Sequence, residues 1–198
     1  MDTLIWILLG TTSLVTLTFI LERAWSLRWG KVIPADIEIA VDECREPADV
    51  EKLCRACGRR PSPIGRLLMV AADHLQWPKE DAEDAVQNHA RHEIVRLERG
   101  LIVLEVAVGI APLLGLVGTI YGMITLFTNL GQSSQLDNAA LAKGIGLILY
   151  STLAGLLIAI PALVAWSYFA KKVERLAVEM ETLCGEFLRR QYRDRSGS

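Results

Sequence analysis

Three runs without a charged residue, 4–21, 106–136 and 144–170, divide this chain of 198 residues and restrict what it can fold into. Each can cross about 30 Å of hydrocarbon, which takes about 20 helical residues. No water is available in that layer, so backbone groups must bond within each segment, and isolated runs can do so only as helices. The chain is read as an all-α integral membrane protein. Its composition, 52% apolar with a formal net charge of -2, conceals the segregation. The near-neutral balance argues neither for nucleic acid nor for a strongly acidic partner, and no nucleic-acid partner is expected.

The first run is expected to stay as an anchor rather than leave as a signal peptide. Met1-Asp2-Thr3 supplies no basic leader, and Glu22-Arg23-Ala24-Trp25 is not a small-residue cleavage site. Of the 21 Lys and Arg, 13 fall in 23–100, seven in 171–198, and only Lys143 lies between the second and third runs. The positive-inside rule then places 24–100 and 170–198 in the cytoplasm and the N-terminus outside. The expected order is helix one over 1–23, a cytoplasmic helical segment over 24–100, helix two over 101–129, an external loop over 130–143, helix three over 144–169 and a cytoplasmic helical tail over 170–198.

Within the cytoplasmic segment, 22–31 reads as a continuation of helix one, and short amphipathic helices follow from Pro34 and over 47–57. Ser62-Pro63 reads as an N-cap and first helical proline, with Ile64, Leu67, Leu68, Ala71 and Leu75 facing inward and Trp77-Pro78 ending the helix. No breaker is evident from Lys79 until Gly100, and the simplest picture is one helix over 79–129, with an apolar side through Val86, Ile94, Leu97, Leu101 and Leu104. Helix three is expected to continue to about Arg190, giving with helix two a long antiparallel hairpin. Residues 193–198 read as unstructured.

The second run carries a stripe that lipid contact alone does not require. Ala111, Gly115, Gly118, Gly122, Thr125 and Asn129 step by four and three along one face, with Thr119 beside it. Helix three has a matching side in Thr152, Gly155, Ala159 and Ala162, with Ser151 adjacent. Thr119 lies ten residues before Asn129 and Thr152 nine after Lys143. Both are about 14 Å from the outer boundary at 1.5 Å per residue, near mid-bilayer. Two readings stay open: hydroxyls bonded to their own helices beside tight packing, or hydroxyls lining a polar path. Neither 106–136 nor 144–170 contains Asp, Glu, Lys, Arg or His, so a conducting path would need such a group from another chain. Glu105, at the cytoplasmic end of helix two, reads as an interfacial carboxylate or as the inner mouth of such a path.

These residues carry a family resemblance. Ala111-Pro-Leu-Leu-Gly-Leu-Val-Gly-Thr-Ile-Tyr-Gly-Met-Ile resembles the second-helix signature of the MotA/TolQ/ExbB proton-channel family, and residues 144–162 resemble its third-helix signature. The length fits the ExbB/TolQ branch better than the four-helix flagellar stators. The resemblance implies a homo-oligomer, typically a pentamer, around a single-span ExbD/TolR-like partner that supplies a membrane aspartate. It implies a bacterial inner-membrane motor subunit driven by protons or sodium, with a periplasmic N-terminus and a cytoplasmic C-terminus. Thr119 and Thr152 fall on the family's pore threonines, and Ser151, Tyr121 and Thr125 join them as candidate path-lining residues. Pro112, Gly115, Gly118, Gly122, Gly155, Ala159 and Pro161 are the packing positions around that path. Leu147 departs from the family, where a glutamate or small polar residue is frequent.

Other motifs are weaker. Cys54-Arg-Ala-Cys57 stands without zinc-finger spacing to other ligands, so reduced thiols are expected and neither a metal nor a cofactor is assigned. His74, His89 and His92 read as solvated residues. Arg59, Arg60, Arg66, Arg96 and Arg99 read as topology determinants in contact with anionic lipid; the resemblance implies the alternative that a ring of them from several subunits admits a partner's acidic N-terminal tail. No phosphate loop, nucleophile elbow or metalloprotease motif is present, and the chain is not read as an enzyme.

Overall fold

The computed structural model describes residues 2–45, 49–132 and 138–196. Its regular elements are the helices α1 (Asp2–Ser26), α2 (Trp29–Val32), α3 (Ala35–Glu43), α4 (Val50–Arg59), α5 (Pro63–Asp73), α6 (Lys79–Glu98), α7 (Leu101–Gln132) and α8 (Asn138–Ser196). Three stretches, Thr3–Ser26, Leu101–Gly131 and Leu141–Arg193, are long and apolar enough to cross a membrane. Internal contacts divide the chain into two units. One comprises Met1–Arg23 with Gly100–Tyr168, the other Ala24–Arg99 with Phe169–Ser198.

In the first unit α7 and α8 run antiparallel. Gly155 lies against Ala111, Gly115 against Ser151 and Thr152, Gly122 against Ile148, and Gly144 against Leu126. The two backbones approach so closely that a Cβ on Gly155 would stand 2.5 Å from the Ala111 carbonyl oxygen. One on Gly115 would stand 2.7 Å from the Ser151 carbonyl oxygen. Lipid tails are as apolar as leucine, so such contact and hydrogen bonding, rather than apolar burial, hold membrane helices together. Ile5 and Leu9 of α1 are buried, and the Ile5 Cγ2 approaches Gly118. Thr16 is also buried, and its hydroxyl donates to the Thr12 carbonyl at 2.7 Å, so it brings no unsatisfied group into the apolar layer.

The second unit is built by short amphipathic helices and the end of α8. Ser62 caps α5 by accepting from the Gly65 N–H at 3.1 Å, with Pro63 in the first turn. Ile64, Leu67, Leu68 and Ala71 of α5 are buried, as are Ile37, Val41 and Cys44 at α3. The last part of α8 buries Val173, Leu176, Met180, Leu183 and Phe187 at helical spacing. Its end is tied down by polar contacts. Arg190 donates to the Val41 carbonyl at 3.2 Å and pairs with Asp42 at 3.1 Å. The Tyr192 hydroxyl donates to the Trp77 carbonyl at 2.7 Å.

Several expectations are corrected. The single helix over 79–129 is two helices, separated at Arg99 and Gly100. Glycine costs about 1 kcal/mol in a helix interior. Here its missing side chain is also the space that the Arg23 guanidinium fills, so the breaker is a residue the apolar pattern passes over. Helix one does not continue through 22–31: α1 ends at Ser26 and α2 is a separate short turn. Helix occupies part of the expected external loop over 130–143, since α7 reaches Gln132 and α8 starts at Asn138, while 133–137 lie outside the described residues. The helix expected over 47–57 is α4, and Pro47 lies outside the described residues. The tail stays helical to Ser196, beyond the expected end near Arg190; residues 197–198 lie outside the description.

The inward face of α6 also differs, comprising Val86, Ala90, Glu93 and Leu97, with Ile94 only half-buried. Glu93 is tolerated because Arg66 of α5 grips it with two donors, Nε at 2.9 Å and Nη2, and Arg96 Nη1 adds a third at 2.9 Å. Burial pushes the Glu93 carboxyl up, but the Arg66 hydrogen bond and the charges of Arg66 and Arg96 outweigh it and hold the group below the ordinary 4.5.

Gly155→Leu should force α7 and α8 apart at a cost of about 1–3 kcal/mol, seen as a lower midpoint in detergent unfolding. Gly109→Ala, where the added Cβ has nothing within 4 Å, should leave the midpoint unchanged or raised. For Glu93, a depressed carboxyl stabilises the fold above the unfolded-state value and loses that contribution as pH falls from about 4.5 through the folded value. Thermal unfolding of the chain should therefore show a loss below that pH. Glu93→Gln should abolish the acid-dependent step and lower stability at pH 7 by about 1–3 kcal/mol, discounted toward the low end because Arg66 is half-exposed.

Candidate functional site

The α7–α8 crossing brings three hydroxyls from two helices to one place. Glycines at 115 and 155 remove the side chains that would separate the backbones, and Thr119, Ser151 and Thr152 project into the gap beside them. The Gly115 carbonyl oxygen lies 3.1 Å from the Thr119 Oγ1, 3.2 Å from the Ser151 Oγ and 3.3 Å from the Thr152 Oγ1. Thr119 and Thr152 are in direct hydrogen-bond contact through their hydroxyls, and Ser151 Oγ is 3.3 Å from Thr119 Oγ1. The Ile148 carbonyl accepts from Ser151 at 2.8 Å and lies 3.5 Å from Thr119. Ser151 is buried and the two threonines are half-buried.

Each hydroxyl has one proton, and the cluster offers more acceptor positions than protons. Chemically it is a neutral, polarisable patch that can donate to an anion or accept from a protonated acid. It carries no charge of its own.

The remaining predicted residues distribute around this centre. Gly118 packs on Ser151 and Ile5, and Gly122 on Ile148. Ala111, Ala159 and Ala162 are buried along the same seam. The expected stripe on α7 is thus buried at Ala111, Gly115 and Gly118, half-buried at Gly122 and Thr125, and exposed at Asn129. Thr125 is not part of the cluster, because its hydroxyl donates to the Tyr121 carbonyl at 3.0 Å one turn further on. Tyr121 is half-buried there. Pro112 lies half-buried inside α7, whereas Pro161 is exposed on α8. Glu105 is exposed on α7 and has no ion-pair partner among the described residues. Leu147 is exposed and lines, with Trp6, Thr125 and Asn129, a cleft of about 380 Å³ between α1, α7 and α8.

The cysteines offer little to a metal. All four are free, and burial, with Cys54 nearby, pushes the Cys57 thiol up to about 11, so it stays protonated and a poor ligand. No group of three or more His, Cys, Asp or Glu is placed to hold a metal among the described residues. His74 is half-buried, its Nδ1 2.8 Å from the Val70 carbonyl and its ring edge-on to Trp77, which is tighter than the solvated position expected of it. The apolar pattern gave no warning of the Arg66–Glu93–Arg96 cluster. The available signal was a glutamate at a core position of α6, three residues from an arginine.

Comparison with known proteins agrees with this architecture. Residues 60–182, more than half of the chain, match the MotA/TolQ/ExbB proton channel family. An ExbB-like biopolymer transport protein of Synechocystis sp. is 34% identical over 161 residues, covering 78% of this chain and 62% of the relative. The biopolymer transport protein ExbB of Neisseria gonorrhoeae is 33% identical over 98 residues, covering 50% of this chain and 44% of the relative. The Tol-Pal system protein TolQ of Pseudomonas aeruginosa is 31% identical over 153 residues, covering 70% and 66%. The chain thus spans about half to two thirds of the length of these relatives. A three-helix membrane layout, two small-residue seams that meet, and a match through both of them lead to one conclusion: the chain belongs to the MotA/TolQ/ExbB proton channel family, on its ExbB/TolQ-like branch.

Proposed function

We propose that this chain is the channel subunit of an ion-driven motor in the bacterial inner membrane. Copies of it, in a pentamer, surround the membrane helix of an ExbD/TolR-like protein whose aspartate carries the ion. Proton or sodium flow through that assembly does mechanical work in biopolymer transport, envelope maintenance or motility. The observation that carries the reading is the contact of the Thr119, Ser151 and Thr152 hydroxyls around the Gly115 carbonyl, in runs (106–136 and 144–170) with no Asp, Glu, Lys, Arg or His. A carboxylate moving through lipid is costly when unpaired, and hydroxyls at mid-depth lower that cost without holding the ion permanently. An acid bound by lysine or arginine would not release its charge. The wall and the charge are therefore best placed on different chains. The N-terminus is periplasmic and the 24–100 and 170–198 segments cytoplasmic in this reading, supported by the distribution of basic residues. Glu105, one turn inside the cytoplasmic end of α7, is the inner mouth.

A second reading, a membrane scaffold without conduction, has one observation in its favour: the hydroxyls already have partners within the chain. The two readings separate in the double variant Thr119→Val, Thr152→Val. The chain, co-reconstituted with a single-span partner in liposomes, should lose ion flux by about tenfold or more, the equivalent of one hydrogen bond to a charged group at about 1.5 kcal/mol. Its oligomer, measured by native mass spectrometry, should persist. Unchanged flux in the double variant removes the channel role from these residues. A dissociated oligomer assigns them to packing.

A further inference from the structure

The second unit contains a cleft that the channel reading does not use. It lies between α5 and α6, has a volume of about 760 Å³, and is lined by Arg66, Arg96, Arg99, His89 and His92 together with the apolar Leu67, Met69, Val70 and Val95. We propose that this cleft docks a short acidic segment of a partner protein, with its carboxylates on the arginines and its apolar side chains on Met69 and Val95.

Charge is the first ground. Three arginines face two carboxylates, Glu93 and Asp73. Glu93 is fully engaged by Arg66 and Arg96, yet each of those guanidinium groups keeps donors beyond the ones it commits: Arg66 uses Nε and Nη2, and Arg96 uses Nη1. Arg99 has no carboxylate partner among the described residues. Glu93 therefore orients two arginine forks toward the cleft without exhausting them, an arrangement that suits bidentate capture of further carboxylates.

Shape and exposed apolar surface are the second. Met69 is 42% exposed and Val95 63% exposed, and both lie on this cleft although the core of the unit is adjacent. From His89 to Arg99 the α6 wall runs about 15 Å at 1.5 Å per residue. An extended chain covers that distance with about four to five residues, alternating sides as it goes. A single phosphate would occupy only the arginine end and leave the apolar wall bare, so a peptide fits the lining better than a lipid headgroup. The cleft is also directional. α5 and α6 are joined by the turn at 74–78 and pair at Arg66 and Glu93, which puts Asp73 toward the His89 end and leaves Arg99 at the other. Carboxylates are drawn to the Arg99 end and repelled from the Asp73 end.

The test uses the full chain in nanodiscs and a fluorescein-labelled short peptide of alternating Glu and Leu, read by anisotropy. Wild type should bind it in preference to the same peptide with Lys in place of Glu. Arg99→Glu should weaken binding by about tenfold, and Val95→Asn, an exposed and charge-neutral change, by a few-fold, with both variants retaining wild-type circular dichroism. Equal affinity in wild type and both variants overturns the proposal, as does equal binding of the Lys peptide. In phosphatidylcholine nanodiscs, where the surface does not itself repel the peptide, displacement of the peptide by soluble glycerol phosphate at the same concentration assigns the cleft to lipid headgroups and overturns it. Self-association lost in the same variants, without peptide binding, assigns it to a second copy and also overturns it. Ion flux is not the readout, so the outcome is independent of the channel reading.

Discussion

The backbone contact of α7 with α8 at Gly115 and Gly155 is the constraint on which the membrane unit depends. In lipid, two apolar helices gain little by touching, because hydrocarbon satisfies leucine as well as another leucine does. What remains is close van der Waals contact and hydrogen bonding. Removing two side chains at the crossing supplies the first, and it brings Ser151 and Thr152 of α8 within reach of the Gly115 carbonyl, to which Thr119 already bonds along α7, to supply the second. The polar cluster is thus a consequence of the glycines as much as of the hydroxyl residues.

That dependence links packing with chemistry. A hydroxyl alone on a lipid-facing helix bonds back to its own carbonyl ladder, as Thr11, Thr12, Thr18 and Thr128 do. Thr119 makes the same bond to Gly115, but it is also in contact with two hydroxyls of α8. The difference between an inert threonine and a member of a shared polar patch is the proximity of the second helix. The second unit uses polarity differently. There Glu93 is held at a buried position by two arginines whose side chains remain about half exposed or more.

Much of this was legible in the residue order. Charge-free length identifies the three spans, because the thickness of hydrocarbon is fixed. The period-four spacing of small residues identifies the faces of α7 and α8 that meet, and Ser62-Pro63 marks the start of α5 by local chemistry alone. The misread positions share a cause. At Gly100, where the sequence already offers a breaker, the Arg23 side chain, 77 positions earlier in the chain, lies against the glycine's empty side. Glu93 is a core residue because Arg66 comes from a different helix. Patterns within one helix carry no information about which side chain another helix brings to it.

By itself, then, the sequence determined the class of the protein, the number of membrane helices, the face by which two of them pack, and the absence of any deep charge in the spans. These follow from solvent and helical geometry, which act on each segment separately. The tertiary structure decided which hydroxyls share a carbonyl, left Thr125 bonded to Tyr121 and Glu105 exposed, divided the long second helix at Gly100, and assembled the basic and apolar cleft from α5 and α6. The shared carbonyl, the Arg23 contact at Gly100 and the cleft depend on distances between residues far apart in the chain, which only packing sets.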